Sequence, residues 1–451
     1  MTPCTHAGEA RQSVLKKLES LEVGEVGVER ILLIDDLFGK LRLVVWPAKS
    51  VSPTDAPSIG PKLDNLMKEA AGAFWSGESW IANSNSKSDQ LVYDGAWDEA
   101  HPLPKNPRVR INDRYRNRGG WFTDFVEPPW PCRGPTQGPP ILVFYSFKGG
   151  VGRTTALAAF AVHRARAGES VAVIDFDLDA PGAGVLLSSG NSSEMASHGV
   201  VDYLLDCQVV ESPDLRDYYH RYGPEGIAGN IYVIPSGRLD DDYLGQLAKL
   251  DLEPPVPGDE MSKPEPFVRL LNQVRTELSP DWILIDARSG LSNAAGFLLR
   301  GMAHLHVLFG IQSEQSWLGI RRLLNRLGES RVRQVKPQLD CLIAQGMVCD
   351  NSQISEESRQ LFLDRSLEEF TDHYYAEDQD DPTDDDLWCV SDSQTEDAPH
   401  VPVAIHYTQR LALFSRLDEV WQDLLASSDY AALVQRIVDR FGAGSSDQNE
   451  E

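Results

Sequence analysis

The stretch ILVFYSFKGGVGRTT, residues 141–155, limits what this chain can become more than any other. An apolar, β-rich run over 141–147 stops at Lys148, Gly149, Gly150, Val151, Gly152, Arg153, Thr154 and Thr155, and an alanine-rich helical pattern fills 156–167. Strand, glycine turn and helix in that order make a cradle for phosphate. The glycines let successive backbone N–H groups turn toward one point, and the helix N-terminus adds partial positive charge there. A glycine-rich turn with no ligand is the plainer alternative, but eight residues in this order at a strand–helix junction weigh against it.

A standard Walker A loop reads Gly, four residues, then Gly-Lys-Ser/Thr. Here Phe147 stands where the first glycine would be and Arg153 where the lysine would be, while a second basic residue, Lys148, opens the loop. The segment resembles the deviant Walker A loop, K-G-G-V-G-K-T, of the ParA/MinD-type ATPases of the SIMIBI class, in a KGGVGR variant. Other stretches carry the same resemblance. Strand-like residues 171–175 lead into FDLDAPG (176–182), and Asp175-Phe176-Asp177 stands where that family places D-x-D at the end of its second strand. WILID (282–286) is an apolar strand ending in a carboxylate, the Walker B pattern, which brings Asp286 out at the strand edge where ligands sit in open α/β sheets. GNIYVIPSG (229–237) is similar to the family's N-L-x-x-I-P-S segment. Residues 407–413 are similar to P-Y-x-x-R-L-A, with His406 where a proline is expected. The resemblance covers residues 141 to about 441, two thirds of the chain, and says nothing of residues 1–126.

The resemblance implies a P-loop NTPase fold of α/β class, a mostly parallel sheet with helices on both faces; the β/α alternation over 141–441 argues the same way. It also implies ATP and Mg²⁺ as ligands. Lys148, Gly149, Gly150, Val151, Gly152, Arg153, Thr154 and Thr155 would hold the nucleotide, and Thr154, Asp175, Asp177 and Asp286 would hold the metal. Asp177 would help to place the attacking water. Lys148 would cross a dimer interface to the partner's nucleotide, two chains sandwiching two ATP molecules, so that Lys148 and Asp177 are the expected catalytic pair. Arg153 would contact the β/γ oxygens, and its planar fork is no conservative substitute for an ammonium. Asp179 is a further carboxylate close by, with helix capping as its plainer role. Arg288 follows the Walker B strand and is expected either to reach phosphate or to pair with Asp281 or another acidic neighbour.

Composition sets the rest. The chain has 451 residues, 41% hydrophobic, with no apolar run long enough to span a membrane and no hydrophobic leader at the N-terminus. Six scattered cysteines without C-x-x-C point to a reducing, cytoplasmic setting and no zinc site. The net charge of −26 is uneven: residues 1–140 hold 17 Lys+Arg against 18 Asp+Glu, and residues 141–451 hold 25 against 50. An acidic nucleotide domain is poorly suited to non-specific DNA binding, which relies on neutralising phosphates.

Four segments are expected. Residues 1–126 form a smaller α+β domain, with helices at 11–22 and 61–75 and a hairpin around Asp35 and Asp36, carboxylates read as turn caps before metal ligands. Six of the ten tryptophans fall within Trp46 to Trp130, as core or as partner surface. Arg108, Arg110, Arg114, Arg116 and Arg118, interleaved with Tyr115, are a basic cluster for nucleic acid, a phosphorylated ligand or an acidic subunit, or else a solvated strand face. Residues 127–140 are a Pro/Gly linker, residues 141–441 the ATPase domain with an acidic surface insertion at 376–398, and residues 442–451 a disordered tail.

The function so read is an ATPase acting as a nucleotide-gated dimerisation and signalling switch, of the kind found in bacterial regulatory or defence systems. A protein partner would dock through the N-terminal domain or the acidic insertion. An ATP-binding scaffold with little turnover, because of Arg153, is the alternative. Membrane cycling is disfavoured by the acidic C-terminus, and a tyrosine-kinase reading by the lack of a tyrosine-rich tail.

Overall fold

The computed structural model describes residues 6–442 except 25, 37–38, 52–57, 99, 114–120, 122–126, 133–136, 189–195, 225, 251–264, 330–338, 350–351, 378–387 and 415. The chain divides into two compact units, the change of unit falling between residues 123 and 124.

In the first unit, strands β1 (Val28–Asp35), β2 (Leu41–Pro47), β3 (Trp80–Ile81), β4 (His101–Leu103) and β5 (Asn106–Asp113) form a mixed sheet in the order β3-β2-β1-β5-β4. Alternation along β1 and β2 splits their side chains between two faces. Ile31, Leu33, Leu43 and Val45 meet the apolar stripes of helices α1 (Ala7–Glu19) and α2 (Ile59–Ala71). Leu32, Ile34, Val44 and Trp46 meet Tyr93 and Trp97 of helix α3 (Lys87–Asp98). Asp36 closes the β1–β2 hairpin: its carboxylate accepts the Lys40 N–H at 2.9 Å and Arg42 Nε at 2.6 Å. Trp46, Trp75 and Trp97 are buried, so most of the aromatic excess here is core. Arg110 lies 4.9 Å from the Trp97 ring and donates to the Trp97 carbonyl, and is thereby committed within the unit. Arg108 is exposed. Arg114, Tyr115, Arg116 and Arg118 lie outside the described residues.

In the second unit, eight strands form one sheet: β6 (Ile141–Ser146), β7 (Ser170–Phe176), β8 (His220–Tyr222), β9 (Asn230–Ile234), β10 (Trp282–Ala287), β11 (Leu305–Gly310), β12 (Asp340–Val348) and β13 (Val403–His406). The order is β13-β12-β11-β6-β10-β7-β9-β8, parallel throughout except for β8 against β9. Strands covered on both faces read as near-continuous apolar runs, as β6, β10 and β11 do apart from Ser146, Asp286 and His306. Leu142, Phe144, Val173 and Leu284 pack with helix α4 (Arg153–Arg166) and with Leu424 and Leu433 of the C-terminal helices. On the other face Phe176 meets Phe267 and Phe297.

The Pro/Gly stretch 127–140 is anchored where it is described. Trp130 is buried, its Nε1 donates to the Pro139 carbonyl, and the Gly138 N–H donates to Pro131. His304 ties this turn to the sheet: the Ile141 N–H donates to Nδ1 at 2.9 Å, and Nε2 donates to the Trp130 carbonyl at 2.7 Å. One amide and one carbonyl fix a neutral ring with its proton on Nε2. The ends of the acidic stretch 376–398 are likewise held, with Ala376 bridged to Cys389 and Trp388 donating to Asp340; residues 378–387 lie outside the described residues.

Burial depresses the pKa of His304 to about 4, and that of His306 to about 4. Both lie below the unfolded value of about 6.5, so the unfolded chain binds more protons between pH 4 and 6.5. The stability they give is complete above pH 6.5 and is lost as pH falls toward 4, at up to about 1.4 kcal/mol per pH unit for each ring. Denaturant unfolding between pH 7 and 4.5 should show this slope, and His306→Asn should remove about one proton from it.

Candidate functional site

The glycine bend follows β6 directly. Gly150 and Gly152 adopt left-handed φ values of +73° and +88°, open to glycine without strain, and Gly152 caps helix α4. Gly149 and Gly150 are exposed. The backbone N–H groups of Gly149, Gly150, Val151 and Gly152 make no hydrogen bond among the described residues. A row of such donors leading into a helix N-terminus is an anion-binding concavity. Phe147 is accommodated by Gly319: a Cβ added there would lie 1.9 Å from the Phe147 ring. The segment after β10 holds the bend from its other side, through the Gly290 N–H to the Ser146 carbonyl and Tyr145 Oη to the Gly290 carbonyl.

Parallel pairing of β7 with β10 sets Asp175 level with Asp286 at the sheet's C-terminal edge. Arg153, the first residue of α4, turns inward. Its Nε donates to Asp286 Oδ1 at 2.7 Å and its Nη2 to Asp177 Oδ2 at 3.0 Å. The Thr154 hydroxyl donates to the other Asp286 oxygen at 2.7 Å. Asp286 is fully buried, and Arg153 and Asp177 are nearly so. Burial raises the Asp286 pKa, opposed by Arg153 and Thr154. Burial also works against the charge of Arg153, but Asp286 and Asp177 outweigh it and hold the guanidinium charged.

Asp175 is employed differently. Its Oδ2 accepts the N–H groups of Gly182 and Gly184, and its Oδ1 accepts that of Asp177, so it shapes the loop that carries Asp177. Burial, then the proximity of Asp286, lifts its pKa to about 7.

The structure therefore brings Arg153, Thr154, Asp177 and Asp286 into one hydrogen-bonded group, with Asp175 behind it. Lys148 stands apart: half-buried at the start of the bend, its ammonium makes no hydrogen bond or ion pair among the described residues. Thr155 lines a cavity of about 300 Å³ with Gly150, Gly152, His406, Tyr407 and Tyr430. Arg288 pairs with Asp179 at 2.5 Å; of its expected partners this is an acidic neighbour other than Asp281. Sequence reasoning missed the cavity and the bond between His406 Nδ1 and Asp429 at 2.9 Å. It also missed the dependence of Phe147 on Gly319. Each joins residues far apart in the chain, with no local pattern to mark it.

The donors suit magnesium. A hydroxyl and carboxylates are hard oxygen ligands, and Mg²⁺ is typically held by one or two carboxylates together with substrate phosphates and water. Among the described residues no three His, Cys, Asp or Glu side chains gather as a metal cage.

Removing one member of a buried ion pair costs about 3–5 kcal/mol, because the remaining charge is left uncompensated. Arg153→Ala, which strands the buried charge of Asp286, should lower unfolding stability by that amount in urea titration. Arg153→Met combined with Asp286→Leu should recover most of it.

Residues 142–372 match the family described as CobQ/CobB/MinD/ParA nucleotide binding domain. An uncharacterized ATP-binding protein of Methanocaldococcus jannaschii is 29% identical over 154 residues, 34% of this chain and 46% of that protein. The chain thus spans about half the length of the curated relative it matches. Among solved structures it is similar to the cell division ATPase MinD of Pyrococcus furiosus, at 16% identity and a TM-score of 0.41, over 67% of this chain and 99% of that one. It is also similar to the septum site-determining protein MinD of Pyrococcus horikoshii complexed with Mg-ADP, at 16% identity and a TM-score of 0.40, over 68% and 97% of the two chains.

Proposed function

This chain belongs to the CobQ/CobB/MinD/ParA nucleotide-binding domain family, and from that premise we propose that it binds ATP with Mg²⁺ and works as a nucleotide-gated dimerisation switch with ATPase activity. The observation that carries the reading is the juxtaposition at one strand edge of an N–H-lined bend and the Thr154–Asp286–Arg153–Asp177 group. The curated relative from Methanocaldococcus jannaschii, described as ATP-binding, supports the choice of nucleotide.

In this proposal the bend wraps the phosphates, and Thr154, Asp286 and Asp177 hold the magnesium, which neutralises phosphate charge when bound. Asp175 fixes the loop that aims Asp177 toward the attacking water. Thr155 approaches the α-phosphate. Lys148, uncommitted among the described residues, supplies a cation to the nucleotide of a second copy, where a charge delivered across an interface stabilises phosphoryl transfer. The N-terminal domain or the acidic stretch 376–398 receives a protein partner, and the setting is cytoplasmic. No helix among the described residues is long and apolar enough to cross a membrane. A second reading, an ATP-binding scaffold with little turnover, is favoured by one observation: the guanidinium of Arg153 is committed to carboxylates.

Light scattering of the full chain should show a doubled mass with ATP and Mg²⁺, lost in Lys148→Ala. Phosphate release should be steady and abolished by Asp177→Ala. A mass unchanged by ATP contradicts the switch, and ATP binding without phosphate release selects the scaffold.

A further inference from the structure

Arg153 takes up the very atoms that a metal ion would need. Its two donors sit on one oxygen of Asp286 and one of Asp177, and the remaining oxygen of Asp286 is bound by the Thr154 hydroxyl. Asp286 is shut off from water, so its charged form depends on a neighbouring cation. The same guanidinium belongs to the first residue of α4, which directly follows the N–H-lined bend at Gly152.

We propose that Arg153 is an internal counterion that makes metal and triphosphate binding mutually dependent, an inference that rests on the ATP–Mg²⁺ reading above. A divalent cation arriving alone must evict the guanidinium, which then has no anion to meet. A triphosphate arriving alone can draw Arg153 away only by leaving Asp286 buried without a counterion, on the Thr154 hydroxyl alone. Arriving together, each takes one partner of the existing pair: the cation receives the carboxylates and the phosphates receive the guanidinium. Every charge stays matched throughout. The two affinities are then linked reciprocally, each ligand raising the other's by one factor. A lysine at this position has one compact ammonium and no fork to span two carboxylates, so the coupling belongs to the arginine.

Mn²⁺ as a paramagnetic stand-in, titrated into the full chain without nucleotide and followed by electron paramagnetic resonance, tests this directly. The native chain should bind Mn²⁺ weakly. Arg153→Met should bind it at least tenfold more tightly and show a Mn²⁺-dependent rise in Tm, and Arg153→Met with Asp286→Asn should lose that gain. Arg153→Lys should gain several-fold, which keeps the test open should the methionine variant not fold. Equal Mn²⁺ affinity in native chain and Arg153 variants overturns the proposal. A fluorescent ATP analogue should bind the native chain at least tenfold more tightly with Mg²⁺ than with EDTA, and Arg153→Lys should narrow that ratio; an unchanged ratio also overturns it. Failure of the analogue to bind at all, with the Mn²⁺ gain intact, removes the ATP reading while leaving the competition for the carboxylates in place.

Discussion

One buried charge governs the second unit. Asp286 lies at the end of a strand enclosed on both sides, and without a cation beside it the sheet edge would carry an uncompensated carboxylate. Arg153 supplies that cation from the first turn of α4, and in doing so joins the glycine bend, β10 and the loop after β7. Strong, geometrically fixed ion pairs of this kind are sensitive to what replaces them. The group that completes the fold at this point is therefore the group best placed to register a ligand.

The surrounding architecture serves the same point. Asp175, held by three backbone N–H groups, gives the Asp177 loop its shape. Gly319 makes space for Phe147, so the bend enters at a fixed angle although the usual first glycine of such loops is missing. Gly290 and Tyr145 brace the bend from the segment after β10. Rigid elements with backbone donors between them are what phosphate recognition requires, since the donors must already be aimed when the ligand arrives.

Much of this was legible in the sequence, because it is written locally. Residues 141–155 spell strand, bend and helix without a gap, and WILID announces its own strand and the carboxylate at its tip. Hydrophobic period separated the elements of the sheet, and the hairpin at Asp36 followed from turn chemistry. What was not legible depends on partners distant in the chain. Arg153 reads in sequence as a phosphate ligand, and only the fold shows it on Asp286 and Asp177, 133 and 24 residues away. Asp175 reads as a metal ligand, while its oxygens are turned onto the loop amides. The Pro/Gly stretch reads as a linker, because nothing in its composition reveals that His304 will reach back to Trp130. Strand β8 was missed because it is three residues long and pairs antiparallel at an edge.

A crystal structure of the full chain with a non-hydrolysable ATP analogue and Mg²⁺ tests the central claim most directly. The account predicts the triphosphate in the bend of residues 149–154, magnesium on Thr154 and Asp286, and the Arg153 guanidinium transferred from carboxylate to phosphate. Nucleotide bound elsewhere, or magnesium on Asp286 with Arg153 still bridging Asp286 and Asp177, would contradict it.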